Sequence, residues 1–457
     1  MDRQAVSKSK SHAGRYAALF FAALAFVLIS APGANGAAAV NPFAGLYQKI
    51  IDQATQTGLP GLAVYIRTPE EGVWIGTGGY ADLETRTRIH PESLFYSASH
   101  LKIFMATAVM MLWDAGFIDL DAPVERYLPV EISARLANAS TATVRNLLNH
   151  TSGIPNYVLT TPWTNNPLES TWRDDIDSIL GKKADFAPGS QFRYCNTNFV
   201  LLAVILDQVT GDHADFLSRR IFQPLGMTHT YYRKEAGLPR PPRLVTPYLD
   251  RYGDGTLESV GTVFPTVRQN HAYGAGGLLA DMSDYARFIE ALFGGQLISP
   301  EALKLMSTPV GPASLYGYGL GMIIQRTNGV DEAKFGKSHG HGGRGPFGIL
   351  EMDYYPKAGV TIGYAANYGS PGMTTVEDFF NSLGSEFGDA VFNKRVPARG
   401  TPLEPIQARP SKGKIAQLRQ SLYQGVIDQY VRKGLPGMVM LIKTPERGTW
   451  VGAKGYA

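Results

Sequence analysis

The stretch Leu94-Phe95-Tyr96-Ser97-Ala98-Ser99-His100-Leu101-Lys102-Ile103-Phe104-Met105-Ala106 decides how this chain is read. Apolar residues continue from it to Leu112 at helical spacing, so Ser99 stands where a helix begins and Lys102 follows three residues later on the same face. A serine that has no histidine partner needs this arrangement for acyl transfer. A lysine kept neutral by burial takes the hydroxyl proton, and the helix N-terminus favours the developing negative charge. Alone, Ser-x-x-Lys is a weak signal, because Ser7 with Lys10 and Ser411 with Lys414 also match. Without further elements Ser99 would be only a helix cap and Lys102 a solvent-facing lysine.

A second element stands about 95 residues on, at Phe192-Arg193-Tyr194-Cys195-Asn196-Thr197-Asn198, followed by an apolar helix from Phe199 to Val209. Beside a lysine ammonium a tyrosine hydroxyl ionises more easily, which suits Tyr194 to passing a proton to a leaving group. Asn196 can hydrogen-bond a substrate amide and orient Lys102. The intervening Cys195, the single cysteine, points the other way as a packed thiol. The third element is Ser338-His339-Gly340-His341-Gly342-Gly343-Arg344-Gly345. It lies between strands expected at Gly319 to Arg326 and Gly348 to Tyr354, the latter turning at Pro356-Lys357-Ala358-Gly359 into Val360 to Ala365. Its glycines let substrate lie along the strand edge, where a backbone N–H joins that of Ser99 in an oxyanion hole.

With these three elements in this order, the chain resembles the serine β-lactamase-related family of class C β-lactamases, serine D-Ala-D-Ala carboxypeptidases and allied esterases. Asn149-His150-Thr151-Ser152-Gly153, Ala275-Gly276-Gly277-Leu278 and Pro224-Leu225-Gly226-Met227 add to the likeness, which covers residues 42–393. The resemblance implies an α/β fold of α+β type: an antiparallel sheet flanked by helices, with a mostly helical insertion domain and the active site at their junction. It makes Ser99 the nucleophile, Lys102 and Tyr194 the proton-transfer pair, and Asn196, His341, Gly343 and Arg344 substrate contacts, the N–H groups of Ser99 and Arg344 forming the oxyanion hole. Two departures bear on substrate. Histidine stands at 341 where β-lactamases usually have lysine, and Gly342 stands where the family often has Thr or Ser. A hydroxyl and a permanent charge for a substrate carboxylate are therefore missing, which favours peptide or ester over β-lactam hydrolysis. Arg344 is the residue able to replace that charge. His150 reads as structural, part of a helix end and turn.

Composition agrees with a folded enzyme: 457 residues, 44% hydrophobic and 18% charged, exclude disorder and fibrous classes. One cysteine excludes internal disulfides and multi-cysteine metal sites. His339 and His341 sit two apart without further ligands nearby, so neither a metal nor another cofactor is expected. The net charge of +4 hides an uneven distribution. Segments 1–36, 394–419 and 420–457 carry +3, +6 and +3, leaving residues 37–393 at −8. An acidic body has no footprint for nucleic acid. The expected partner is a small-molecule or peptide substrate, including a cell-wall peptide.

Residues 1–37 read as a secretory signal: Lys8, Lys10 and Arg15, an apolar run from Ala17 to Ile29, then small residues to Ala38. The run is too short for a stable membrane span, and a secreted or periplasmic location follows. Retention of the segment as an anchor is the rival reading. At the other end, residues 46–81 align without gaps to 422–457 with 20 identities in 36 positions. Each copy reads as an amphipathic helix, Gly-Leu-Pro-Gly and a hairpin, the first with strands Leu62 to Thr68 and Val73 to Gly78. Residues 394–420 thus form a basic, proline-containing linker, and 421–457 a truncated second copy of the domain's start, or an interaction tail. The leading functional expectation is an exported serine hydrolase working through an acyl-enzyme at Ser99, with a peptide of D-Ala-D-Ala type, an ester or a β-lactam as donor. The alternative is a non-catalytic penicillin-binding-like sensor or binding module of the same fold.

Overall fold

Tyr47, Ile50, Ile51 and Ala54 fall on one stripe of the sequence and form the buried face of helix α1 (Ala44–Gln56). In the computed structural model, which describes residues 41–159, 171–232, 240–250, 257–260, 273–325, 330–345, 347–369, 374–395, 427, 437–444 and 448–455, that stripe lies on the first hairpin. The hairpin is β1 (Gly61–Thr68) and β2 (Gly72–Asp82), paired from Gly61 with Gly79 to Thr68 with Gly72. β1 is buried on both faces, which is why its sequence is apolar almost without alternation. β3 (Thr87–Arg88) closes this side of the sheet.

Chain order then continues through β4 (Phe95–Tyr96), helix α2 (Leu101–Asp114) and helix α3 (Asn196–Thr210) to β5 (Tyr231–Tyr232). Between β4 and β5 the described residues contain helices and loops and no strand, the helical insertion that the resemblance implied. After β6 (Leu278–Ala280) and helix α4 (Met282–Phe293) come β7 (Ile323–Gln325), β8 (Ser338–Gly340), β9 (Gly343–Gly345), β10 (Gly348–Tyr355) and β11 (Val360–Ala366), then helix α5 (Thr374–Asn393). The main sheet is antiparallel, in the order β3-β2-β1-β11-β10-β8-β7, with β9 also pairing to β10. The strands foreseen at Gly348 and Val360 are present. The one foreseen from Gly319 is shorter, because Gly319 N–H bonds the Met322 carbonyl in a turn and regular pairing begins at Ile323.

Two cores sandwich the sheet. Tyr47, Ile51, Leu62, Val64, Ile362, Phe380 and Phe387 fill the side under α1 and α5. The other side joins α2, α3 and α4 to Ala63, Leu350 and Met352. α2 is buried nearly all round, as its unbroken apolar run requires, and Phe104 stacks on Phe288 of α4 with ring centroids 3.6 Å apart. Phe104→Ala is expected to destabilise the protein by about 3–5 kcal/mol, read from the denaturant midpoint at constant slope.

The duplicated segment yields β12 (Gly437–Thr444) and β13 (Gly448–Gly455), a two-stranded sheet. Every pair in it repeats the β1–β2 register, displaced by 376 positions. The leader 1–37 and linker residues 396–420 lie outside the described residues. No helix among the described residues is long and apolar enough to cross a membrane.

Candidate active site

Tyr96 ends β4, and Ala98 then takes a left-handed conformation with φ of 43°, unfavourable for an L-residue by roughly 1–2 kcal/mol. That turn delivers Ser99 into a single 3₁₀ turn, Ala98–His100, which runs directly into α2. The expected helix start is thus present, one turn tighter than a regular α-helix. Lys102 is fully buried in the first turn of α2. Its Nζ lies 2.9 Å from Ser99 Oγ and donates to the Ala275 carbonyl, also at 2.9 Å. Burial lowers the Lys102 pKa to about 7, so the amine is largely neutral in mildly alkaline solution. The same short contact then becomes one in which the serine hydroxyl can donate to a lone pair.

Tyr194 arrives on the strand-like segment before α3 and hydrogen-bonds Ser99 through its hydroxyl, its ring 5.2 Å from Lys102 Nζ. The expectation of an easily ionised phenol is reversed. Burial pushes the Tyr194 hydroxyl well above its ordinary value, outweighing the bond to Ser99 that lowers it. In the resting site Tyr194 is a neutral phenol, and Lys102 is the group of the two whose burial favours the deprotonated form. Asn196 opens α3 half-buried, while the bonds of Lys102 go to Ser99 and Ala275. Cys195 is buried, its thiol directed to the Ile154 carbonyl at 3.5 Å and raised by burial to about 11, as a packed thiol should be.

The third element lies along β10 in one continuous register, from His339 opposite Tyr354 through Gly343 opposite Leu350. His341 is buried, its Nε2 3.0 Å from the Tyr318 hydroxyl, and burial lowers it to about 3. The His100 ring, next to Ser99, bonds the His341 carbonyl through Nδ1 and so ties the turn that carries Ser99 to this strand. Gly343 lies flush against the turn: a β-carbon there would overlap the Ser97 carbonyl oxygen. Gly342 faces the other side of the sheet, where a β-carbon would overlap the Glu351 carboxylate. The volume of the missing hydroxyl-bearing side chain is therefore taken by an acid. That acid holds Arg344, whose Nε and Nη2 donate to Glu351 Oε1 at 3.2 and 3.0 Å. The charge that the sequence offered as a lysine substitute is already paired.

Sequence reading missed two contributors. Ala275 acts through its carbonyl, and the Ala275-Gly276-Gly277 motif was the available signal. Tyr318 bridges His150 and His341 and carries no motif that marked it.

A family model described as Beta-lactamase matches residues 46–383, and the chain belongs to that family. A relative from Bacillus subtilis (strain 168) bearing the name penicillin-binding protein PbpX is 32% identical over 275 residues, 60% of this chain and 64% of its own. The matched stretch spans 64, 56 and 46% of three curated relatives, so the chain covers about half to two thirds of their length. Among solved structures, the D-amino acid amidase from Ochrobactrum anthropi SV3 is 26% identical with a TM-score of 0.67, covering 77% of this chain and 99% of that one. A D-stereospecific amidohydrolase from Streptomyces sp. is 27% identical with a TM-score of 0.60, covering 71% and 94%. The fold and family are those of the serine β-lactamases and penicillin-binding proteins, whose members include amidases and other hydrolases.

Proposed function

We propose that this chain is an exported serine hydrolase that forms an acyl-enzyme at Ser99, with amide or ester donors lacking a carboxylate next to the scissile bond. The observation that carries the reading is the 2.9 Å contact between Ser99 Oγ and a wholly buried Lys102 amine. In the proposed step neutral Lys102 takes the Ser99 proton as Oγ bonds to the acyl carbon. The bond to the leaving group then breaks, and that group receives the proton through Tyr194. Water or an amine attacks the acyl-enzyme by the reverse route. The N–H groups of Ser99 and Arg344 stabilise the oxyanion, Gly343 allows their close approach, and Asn196 bonds the donor's amide. His341 contributes no charge.

The preference for an uncharged donor follows from the pairing of Arg344 with Glu351 and the neutrality of His341. Likeness to an amidase supports it. Cell-wall peptides and β-lactams, which present a carboxylate, rank below amino acid amides and short-chain esters. Export rests on the leader 1–37, and a secreted or periplasmic location follows from it. Residues 421–457 repeat the start of the domain and have no role in this reading.

Labelling folded protein with a fluorophosphonate and mapping the peptide should place the adduct on Ser99, with loss in Ser99→Ala. In a substrate panel, amides and esters should turn over faster than D-Ala-D-Ala peptides or nitrocefin. Absence of any adduct would leave the non-catalytic binding module in its place.

A further inference from the structure

We propose that Tyr318 is a positioning residue that holds His341 as a neutral imidazole with its proton on Nδ1, at the end of a one-directional hydrogen-bond chain beginning at the Cys195 backbone N–H. A backbone N–H can only donate, and that of Cys195 meets His150 Nδ1 at 3.2 Å. Nδ1 is therefore the acceptor, and in a neutral ring the proton must sit on Nε2. The Asn198 amide donates to the same nitrogen at 3.3 Å while its oxygen accepts from Ser152 Oγ at 2.7 Å, which agrees. His150 Nε2–H then donates to Tyr318 Oη at 3.2 Å. The single hydroxyl proton of Tyr318 is left to donate to His341 Nε2 at 3.0 Å. His341 must carry its own proton on Nδ1, where the Gly342 carbonyl accepts it at 2.6 Å. With His150 neutral, and His341 Nε2 the acceptor in reach of the Tyr318 hydroxyl among the described residues, each step follows from the one before.

Independent observations agree. His150, Tyr318 and His341 are all buried. His150 takes a left-handed conformation with φ of 59°, a strain that persists only where surroundings impose it. The groups facing His341 are Lys102, His100, Tyr194, Tyr318 and His150. Glu351 and Asp353 lie on the opposite face of the same strands, behind Gly342 and Gly340. A proton added to His341 Nε2 would meet the Tyr318 hydroxyl proton and break the link between Tyr318 and His341. The chain thus keeps a second positive charge away from Lys102 and fixes the His341–Gly342 peptide that leads to Gly343 and Arg344. The kinetic part of this inference rests on the acyl-transfer reading; the tautomer does not.

The full chain with ¹⁵N-labelled histidine, read by long-range ¹H–¹⁵N correlation and assigned with His341→Gln, tests it. His341 should show the neutral Nδ1–H form, unchanged between about pH 5 and 8. In Tyr318→Phe that form should give way to mixed tautomers or to protonation within the same range. There kcat/KM should fall by roughly 10- to 100-fold, and its slope against pH below about 7 should steepen from one proton towards two. A residue of merely structural importance would lower the rate and leave the slope at one. His341 found as Nε2–H or charged in the unsubstituted protein overturns the inference, and does so even if Tyr318→Phe fails to fold. An unchanged tautomer and slope in a folded Tyr318→Phe overturns it as well. Failure of Ser99 to label would sink the acyl-enzyme reading and leave the tautomer result standing.

Discussion

Gly343→Ala should lower the rate of acylation at Ser99 by about 100-fold or more and destabilise the fold by about 1–3 kcal/mol. The new methyl group would overlap the Ser97 carbonyl oxygen and lie 3.1 Å from the Ala98 β-carbon. Main-chain atoms cannot swing aside as a flexible side chain does. Ala98 already sits in the left-handed region, so the turn has little freedom left. β9 and the turn that carries Ser99 must separate, which carries the Arg344 N–H away from Ser99. A displacement of about 1 Å in such a site is enough to cost two orders of magnitude. Gly345→Ala is the control, because a β-carbon there meets nothing within 4 Å. Fluorophosphonate inactivation rates and thermal melts of the two variants give the comparison. Equal labelling rates for both would remove the sheet edge from the reacting centre.

The parts of this architecture that depend on local pattern could be read in advance. The Ser99 to Lys102 spacing placed both groups at the start of one buried helix, and turn chemistry at Pro356-Lys357-Ala358-Gly359 fixed the β10–β11 hairpin. What resisted reading depends on register and burial. Gly342 and Glu351 are nine residues apart, and only the pairing of β9 with β10 sets the carboxylate over the glycine and beside Arg344. In sequence Arg344 reads as a cation able to meet a substrate carboxylate and Gly342 as a missing hydroxyl; in the fold they share one acid. Tyr194 shows the same limit for electrostatics. Its neighbour Lys102 was foreseen, but enclosure of both groups sets their protonation, and enclosure lowers the amine while it raises the phenol. Ala275 contributes a carbonyl, which any residue would offer, so its motif marks the place in the chain while its side chain says nothing of the bond to Lys102.

Lys102→Met should slow acylation by about 10²- to 10⁴-fold and, near pH 6, make the protein more stable. As the proposed base, Lys102 supplies proton transfer worth about 10²- to 10⁴-fold, and methionine fills much the same volume without a lone pair of comparable basicity. For stability the sign follows from the lowered pKa. The folded protein holds the Lys102 proton with a pKa of about 7, whereas an unfolded lysine has about 10.4. Between these values unfolding takes up a proton, so the stability of the unsubstituted protein rises with pH across that window. Below it the penalty is at its largest and no longer changes; at about 1.4 kcal/mol per unit it is on the order of several kcal/mol. Methionine removes the penalty and orphans the Ala275 carbonyl, an opposing cost of about 1–3 kcal/mol. The variant should therefore lead at pH 6, and its advantage should shrink as the pH rises from about 7 towards 10. Urea titrations of both proteins across that range decide the matter. Parallel stability curves would mean that Lys102 keeps an ordinary lysine pKa in the fold, and an amine so strongly protonated at neutral pH could not serve Ser99 as its base.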